Sequence, residues 1–157
     1  MHLGALAAHV VTLDAAGTAR RPCHRPAACV ARGDPARNDL RPAPPSEAAT
    51  PRAYRVDAAA HVYRLNRERI YAGRLPPMLY AIGVLEVDVD ARGQVSGLNW
   101  RRAPRHAPEV IAEIERTVRA AAPFPAPARL GRVTYTDVWL WDRSGRFQLD
   151  TLTEGQD

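Results

Sequence analysis

Residues 78–100 read MLYAIGVLEVDVDARGQVSGLNW, and the alternation in this stretch decides the fold. Leu85, Val87 and Val89 alternate with Glu86, Asp88 and Asp90, the period of two expected of a strand with one buried face. The earlier pair Tyr80 and Ile82 is out of step with Leu85, so a bulge is expected at Gly83. Ala91-Arg92-Gly93-Gln94 makes a tight turn in which Gly93 takes the positive φ, and residues 95–102 return as a partner strand with Val95, Leu98 and Trp100 as its apolar contributors. A hairpin alone is marginal in water, so its apolar face needs a cover.

Residues 108–122, PEVIAEIERTVRAAA, supply that cover. Val110, Ile111, Ile114, Val118 and Ala121 recur at helical spacing; Pro108 suits the first turn, Glu109 and Glu113 suit the positive end and Arg119 the other. Pro123-Phe124-Pro125-Ala126-Pro127 ends the helix and forces an extended crossover, which Phe124, its sole large apolar residue, is expected to anchor in the core. Residues 132–142, RVTYTDVWLWD, alternate as a last long strand with both faces fairly apolar. Residues 143–146 form a turn, and residues 147–152 return as a short strand or run on as an extended tail. Upstream, residues 57–71 predict an amphipathic helix with Asp57 as N-cap and Val62, Leu65 and Ile70 on one face, stopped by Gly73 and Pro76-Pro77. The fold class is therefore α+β: a small antiparallel sheet packed by two helices, in the order α-β-β-α-β with an optional short last strand.

This domain is expected to span residues 56–157. Residues 20–55 hold seven prolines with many Arg and Ala and almost no large apolar side chains, so residues 1–55 read as a disordered tail or a misassigned start. Charge divides in the same way. Residues 1–55 hold 8 Arg and 4 acids, and residues 56–157 hold 14 Arg and 13 acids, which places +4 of the net +5 in the tail. The chain has no lysine, and the basic stripe with interleaved aromatics used by RNA binders is missing, so no nucleic-acid partner is expected. Cys23 and Cys29 match no structural zinc spacing and read as incidental thiols. No run of about twenty apolar residues is present, so no transmembrane segment is expected. The opening MHLGALAAHVV is weakly apolar and Gly17-Thr18-Ala19 resembles a cleavage site, but no positive residue precedes it, which makes a poor export signal.

The pieces VLEVDVDARGQVSGLNW (residues 84–100) and EVIAEIERTVRAAAPFPAPA (residues 109–128) together resemble the C-terminal domain of TonB and TolA, the periplasmic energy-transducing adaptors of Gram-negative bacteria. The run Arg-Ala-Ala-Ala-Pro-Phe-Pro at residues 119–125 is the most specific part. The sequence departs from the family pattern in two places. Arg101-Arg102-Ala103-Pro104-Arg105-His106 stands where a Ser-Ser-Gly element followed by Asp is common, and Leu75-Pro76-Pro77 stands in place of a Tyr-Pro pair. The resemblance implies a periplasmic, noncatalytic domain for energy transduction or transport to the outer membrane, with outer-membrane or periplasmic proteins as partners. It further implies that the closing strand is a sheet edge that accepts an extended peptide, with Thr134, Thr136, Trp139 and Trp141 as the partner-binding residues. An accessory protein that keeps the fold without energy coupling is the alternative, and a homodimer is compatible with either.

No catalytic, cofactor-binding or metal-binding residues are expected. Glu86, Asp88 and Asp90 share a strand face and read as its solvated side. His61 and His106 stand far apart in sequence and read as surface residues, and no glycine loop suits a phosphate. Arg101, Arg102 and Arg105 read as a solvated loop.

Overall fold

The computed structural model describes residues 42–156; the cysteines and the export-signal stretch lie outside them. The hairpin forms as read. Strand β1 (Ala81–Val89) pairs antiparallel with β2 (Val95–Arg102). The turn closes on Gly93 at φ 83°, and a Cβ there would stand 2.1 Å from the Phe124 carbonyl oxygen. Phe124 N–H in turn donates to the Gly93 carbonyl at 2.8 Å, so the Pro-Phe-Pro crossover is stitched to the hairpin turn. Only glycine fits both demands. No bulge forms in β1 at Gly83: β1 alternates without interruption and pairs with β3 without a break, and the two register breaks against β2 place the extra residues, Arg101 and Ser96, in β2. Gly83 lies on the buried face of β1, where a Cβ would stand 2.7 Å from the Trp100 ring.

Helix α1 (Pro51–Leu65) begins six residues before the expected start, and the tail expected to reach residue 55 is folded from the strap at Ser46 onward. Thr50 rather than Asp57 is the N-cap: its hydroxyl accepts from Ala53 N–H at 3.2 Å, with Pro51 in the first turn. Asp57 instead accepts from the Ser46 hydroxyl at 2.5 Å. Ser46 main chain bonds Ala126 and Ala128, which pins the strap to the crossover. The early start is set by Tyr54, fully buried, whose hydroxyl donates to the Pro125 carbonyl at 2.8 Å. Tyr54, Ala58, His61 and Val62 form the buried stripe of α1, and Leu65 lies at its exposed end. A short 3-10 turn (Arg67–Arg69) follows.

Helix α2 (Pro108–Ala120) buries Val110, Ile114, Thr117 and Val118, and Ile111 is half-buried. Strand β3 (Val133–Trp141) pairs along its whole length with β1, and β4 (Phe147–Leu149) returns beside its last three residues before a 3-10 turn (Asp150–Leu152). The result is a four-stranded antiparallel sheet in the order β2-β1-β3-β4 with two helices, an α+β fold. The core gathers on one face: Leu85, Val87 and Val89 from β1, Tyr135, Trp139 and Trp141 from β3, and Phe147 and Leu149 from β4 meet α1, α2 and Phe124. Among the described residues no helix is long and apolar enough to cross a membrane.

Candidate partner-binding edge

The four residues expected to bind a partner divide into two pairs. Trp139 and Trp141 belong to the core, 3% and 5% exposed, and their rings pack on Phe147 with centroids 4.9 and 5.4 Å away. They are not available to a partner, which corrects that part of the expectation. The physical reason lies in β4, which folds back over this end of β3 and is itself sealed from outside. Tyr71 N–H donates to the Phe147 carbonyl at 2.9 Å, Leu149 N–H to the Tyr63 hydroxyl at 3.0 Å, and the Gln148 amide to Tyr71 and Gly73 carbonyls at 2.9 and 2.7 Å. Arg69 lies over the Trp141 and Phe147 rings at 5.7 and 5.6 Å.

Thr134 and Thr136 are placed otherwise. Asp142 N–H donates to Arg146 across the β3–β4 turn at 2.9 Å, so even-numbered residues of β3 turn their main-chain groups toward the β4 side. Those of Thr134, Thr136 and Val138 therefore point past the end of β4, which pairs only with residues 139–141. Val138 N–H is taken by the Asp137 carboxylate at 2.8 Å, and Thr151 N–H reaches the same oxygen at 3.4 Å. Asp137 thus ends the covered half of the edge. Beyond it the main chain of Thr134 and Thr136 faces an open groove of about 370 Å³, walled on the far side by Pro51, Arg52 and Arg55 of α1 and floored by Tyr135.

Asp137 sits on the core face, 3% exposed, with its second oxygen unpartnered. Burial raises its pKa above the usual carboxylate range, opposed by Thr151, the Val138 amide and the positive charge of Arg55. The Arg55 Nε beside it is also buried without a hydrogen-bond partner. Sequence reading missed both Arg52 and Arg55 because it placed them in the tail, although Thr50-Pro51 is a readable helix start.

At the opposite edge, β2 carries two register breaks against β1 and ends in the charged pair Arg101–Arg102, features that discourage addition of a further strand. The acids of β1 are engaged within the sheet. Asp88 accepts from the Thr134 hydroxyl at 2.5 Å, Glu86 lies 3.6 Å from Arg101, and Asp90 caps the hairpin turn through Arg92 and Gln94 N–H at 2.8 and 2.9 Å. Those two amide bonds hold the Asp90 carboxyl below its usual range. Among the described residues no group of three or more His, Cys, Asp or Glu is placed to hold a metal ion.

His61 is buried rather than at the surface, because it falls on the inner stripe of α1. Its Nε2 meets the Ala121 carbonyl at 2.7 Å and its Nδ1 faces the Arg64 guanidinium at 3.1 Å, which requires the neutral ring with the proton on Nε2. Burial lowers its pKa, with the Ala121 bond opposing and Arg64 adding to the shift. Ser46, Asp57 and His61 line one small cavity of about 280 Å³, yet the serine bonds the aspartate and the imidazole is spent on Ala121 and Arg64. That wiring does not activate a nucleophile, which needs serine bonded to imidazole and imidazole to carboxylate. His106 is exposed and bonds the Tyr80 carbonyl at 2.9 Å. Compared with models of known families, with curated proteins and with solved structures, the chain matches none of them.

Proposed function

We propose that this chain is a noncatalytic protein-interaction domain of the TonB and TolA C-terminal kind, working in the periplasm of a Gram-negative cell envelope in energy transduction or transport to the outer membrane. Its partner is an outer-membrane or periplasmic protein that contributes an extended segment to the free half of the β3 edge. One observation carries the reading: the main-chain groups of Thr134 and Thr136 face an open groove, while the rest of β3 is closed by β1 and β4. Strand addition there joins a segment through main-chain hydrogen bonds, with alternate side chains supplying selectivity. The hairpin, the covering helix and the Phe124 crossover bonded to Gly93 support the resemblance in shape.

The test is recovery of partners from periplasmic and outer-membrane extract by the wild-type chain and by Thr136→Pro. Proline removes the edge N–H without taking a bond from β1. The reading expects recovery of the specific partner to collapse in the variant while its unfolding midpoint stays near that of wild type. Equal recovery of every partner by both proteins would refute strand addition at this edge.

A further inference from the structure

The groove is lined by two arginines and no acid, and the outer face of the sheet behind it carries carboxylates, which together restrict what can occupy it. An added strand places the residue opposite Tyr135 on the inner side, because directly opposed residues share a face. Tyr135 lines the groove with Arg52 and Arg55, and the Arg55 Nε is buried and lacks a partner. Residues opposite Thr134 and Thr136 emerge on the outer face instead. There Thr136 stands beside Glu86, and Thr134 holds the Asp88 carboxylate. An acid on that face has those two carboxylates one strand away across β3, whereas an acid on the inner side meets two guanidiniums. Asp137 feels the charge of Arg55, but the hydrogen bonds of its carboxylate go to Val138 and Thr151 and none to the arginine.

We propose, on the strand-edge reading above, that the groove selects an extended protein segment with Asp or Glu opposite Tyr135, flanked by neutral or basic residues opposite Thr134 and Thr136. The acid fills the open side of the Arg52–Arg55 wall, and guanidinium groups suit carboxylates because their planar donors engage both oxygens. The flanking rule follows from repulsion by Glu86 and Asp88, so selectivity comes from rejection as much as attraction.

The experiment selects phage-displayed random heptapeptides on the full chain, then measures binding of the enriched sequences as labelled synthetic peptides by fluorescence polarisation. Wild type, Thr136→Pro and Arg52→Glu are compared; Arg52 is exposed, so its reversal spares the fold where Arg55→Ala would disturb the surroundings of Asp137. The expected consensus is a single acid between neutral or basic β-formers. Its Glu→Gln peptide and the Arg52→Glu protein each bind about five- to tenfold more weakly at low salt, the scale of a partly desolvated charge pair. Enriched peptides without an acid, lost in Thr136→Pro but indifferent to Arg52→Glu, would overturn the charge rule and leave the strand edge standing. Acidic peptides that bind Thr136→Pro as well as wild type would overturn the proposed register. If no peptide depends on Thr136, the edge itself is refuted and the charge rule with it.

Discussion

The two halves of β3 share one strand, one partner in β1 and one alternating pattern, yet they end in opposite situations. Residues 139–141 carry two tryptophans that are locked against Phe147, with β4 on their free side and the segment around Tyr71 outside that. Residues 133–137 have β1 on one side and an open groove on the other. The difference is made by three residues of β4 and by one carboxylate, Asp137, which takes the first main-chain N–H past the end of β4. An aromatic-rich strand therefore need not be a sticky one: both tryptophans lie in the closed half, and Tyr135 in the open half is itself turned into the core.

Substitutions at the two ends should separate these roles. Phe147→Ala removes the ring on which both tryptophans rest and should cost about 3–5 kcal/mol in urea unfolding, the range for truncating a buried aromatic. Leu140→Pro, in the closed half, deletes an N–H turned toward β4, leaves its acceptor unpaired and should cost about 1–3 kcal/mol. Either variant that unfolds at the wild-type midpoint would show that β4 does not seal the edge.

A pH series sharpens the boundary between the halves. The folded pKa of Asp137 is raised, so its contribution is most favourable below the unfolded value of about 3.9 and is lost as pH rises through the folded value. Relative to Asp137→Asn, wild type should therefore lose stability between acid and neutral pH; a constant difference in urea midpoint across that range would contradict a buried, strained carboxylate. His61 acts with the opposite sign. Its lowered folded value means stability present above about pH 6.5 and lost as pH falls below it, which His61→Gln should flatten. The smallest effect on stability is expected from Thr136→Pro, under about 1 kcal/mol by the same urea assay, because the N–H it deletes has no strand partner.

Much of this was legible in the sequence. The alternating valines of β1, the limits of β2 at Val95 and Arg102, the stripe of α2 and the burial of Phe124 follow from period and turn chemistry alone. Two things did not follow. The start of α1 was obscured by proline-rich surroundings, although Thr50 and Pro51 carry the capping signal and Tyr54 the buried aromatic. The edge was obscured because strand order depends on pairings far apart in sequence. The inner face of β3 also includes Asp137 among aromatics, so side-chain character did not reveal which half of the strand β4 would cover.

Native-state hydrogen exchange, read amide by amide, tests this division most directly. The amides of Thr134 and Thr136 should exchange quickly in the free protein while that of Leu140 is protected, and a bound extended segment should protect the two threonines without changing Leu140. Threonine amides already protected to the level of Leu140 in the free protein would mean that the edge is closed along its whole length, and would contradict the account.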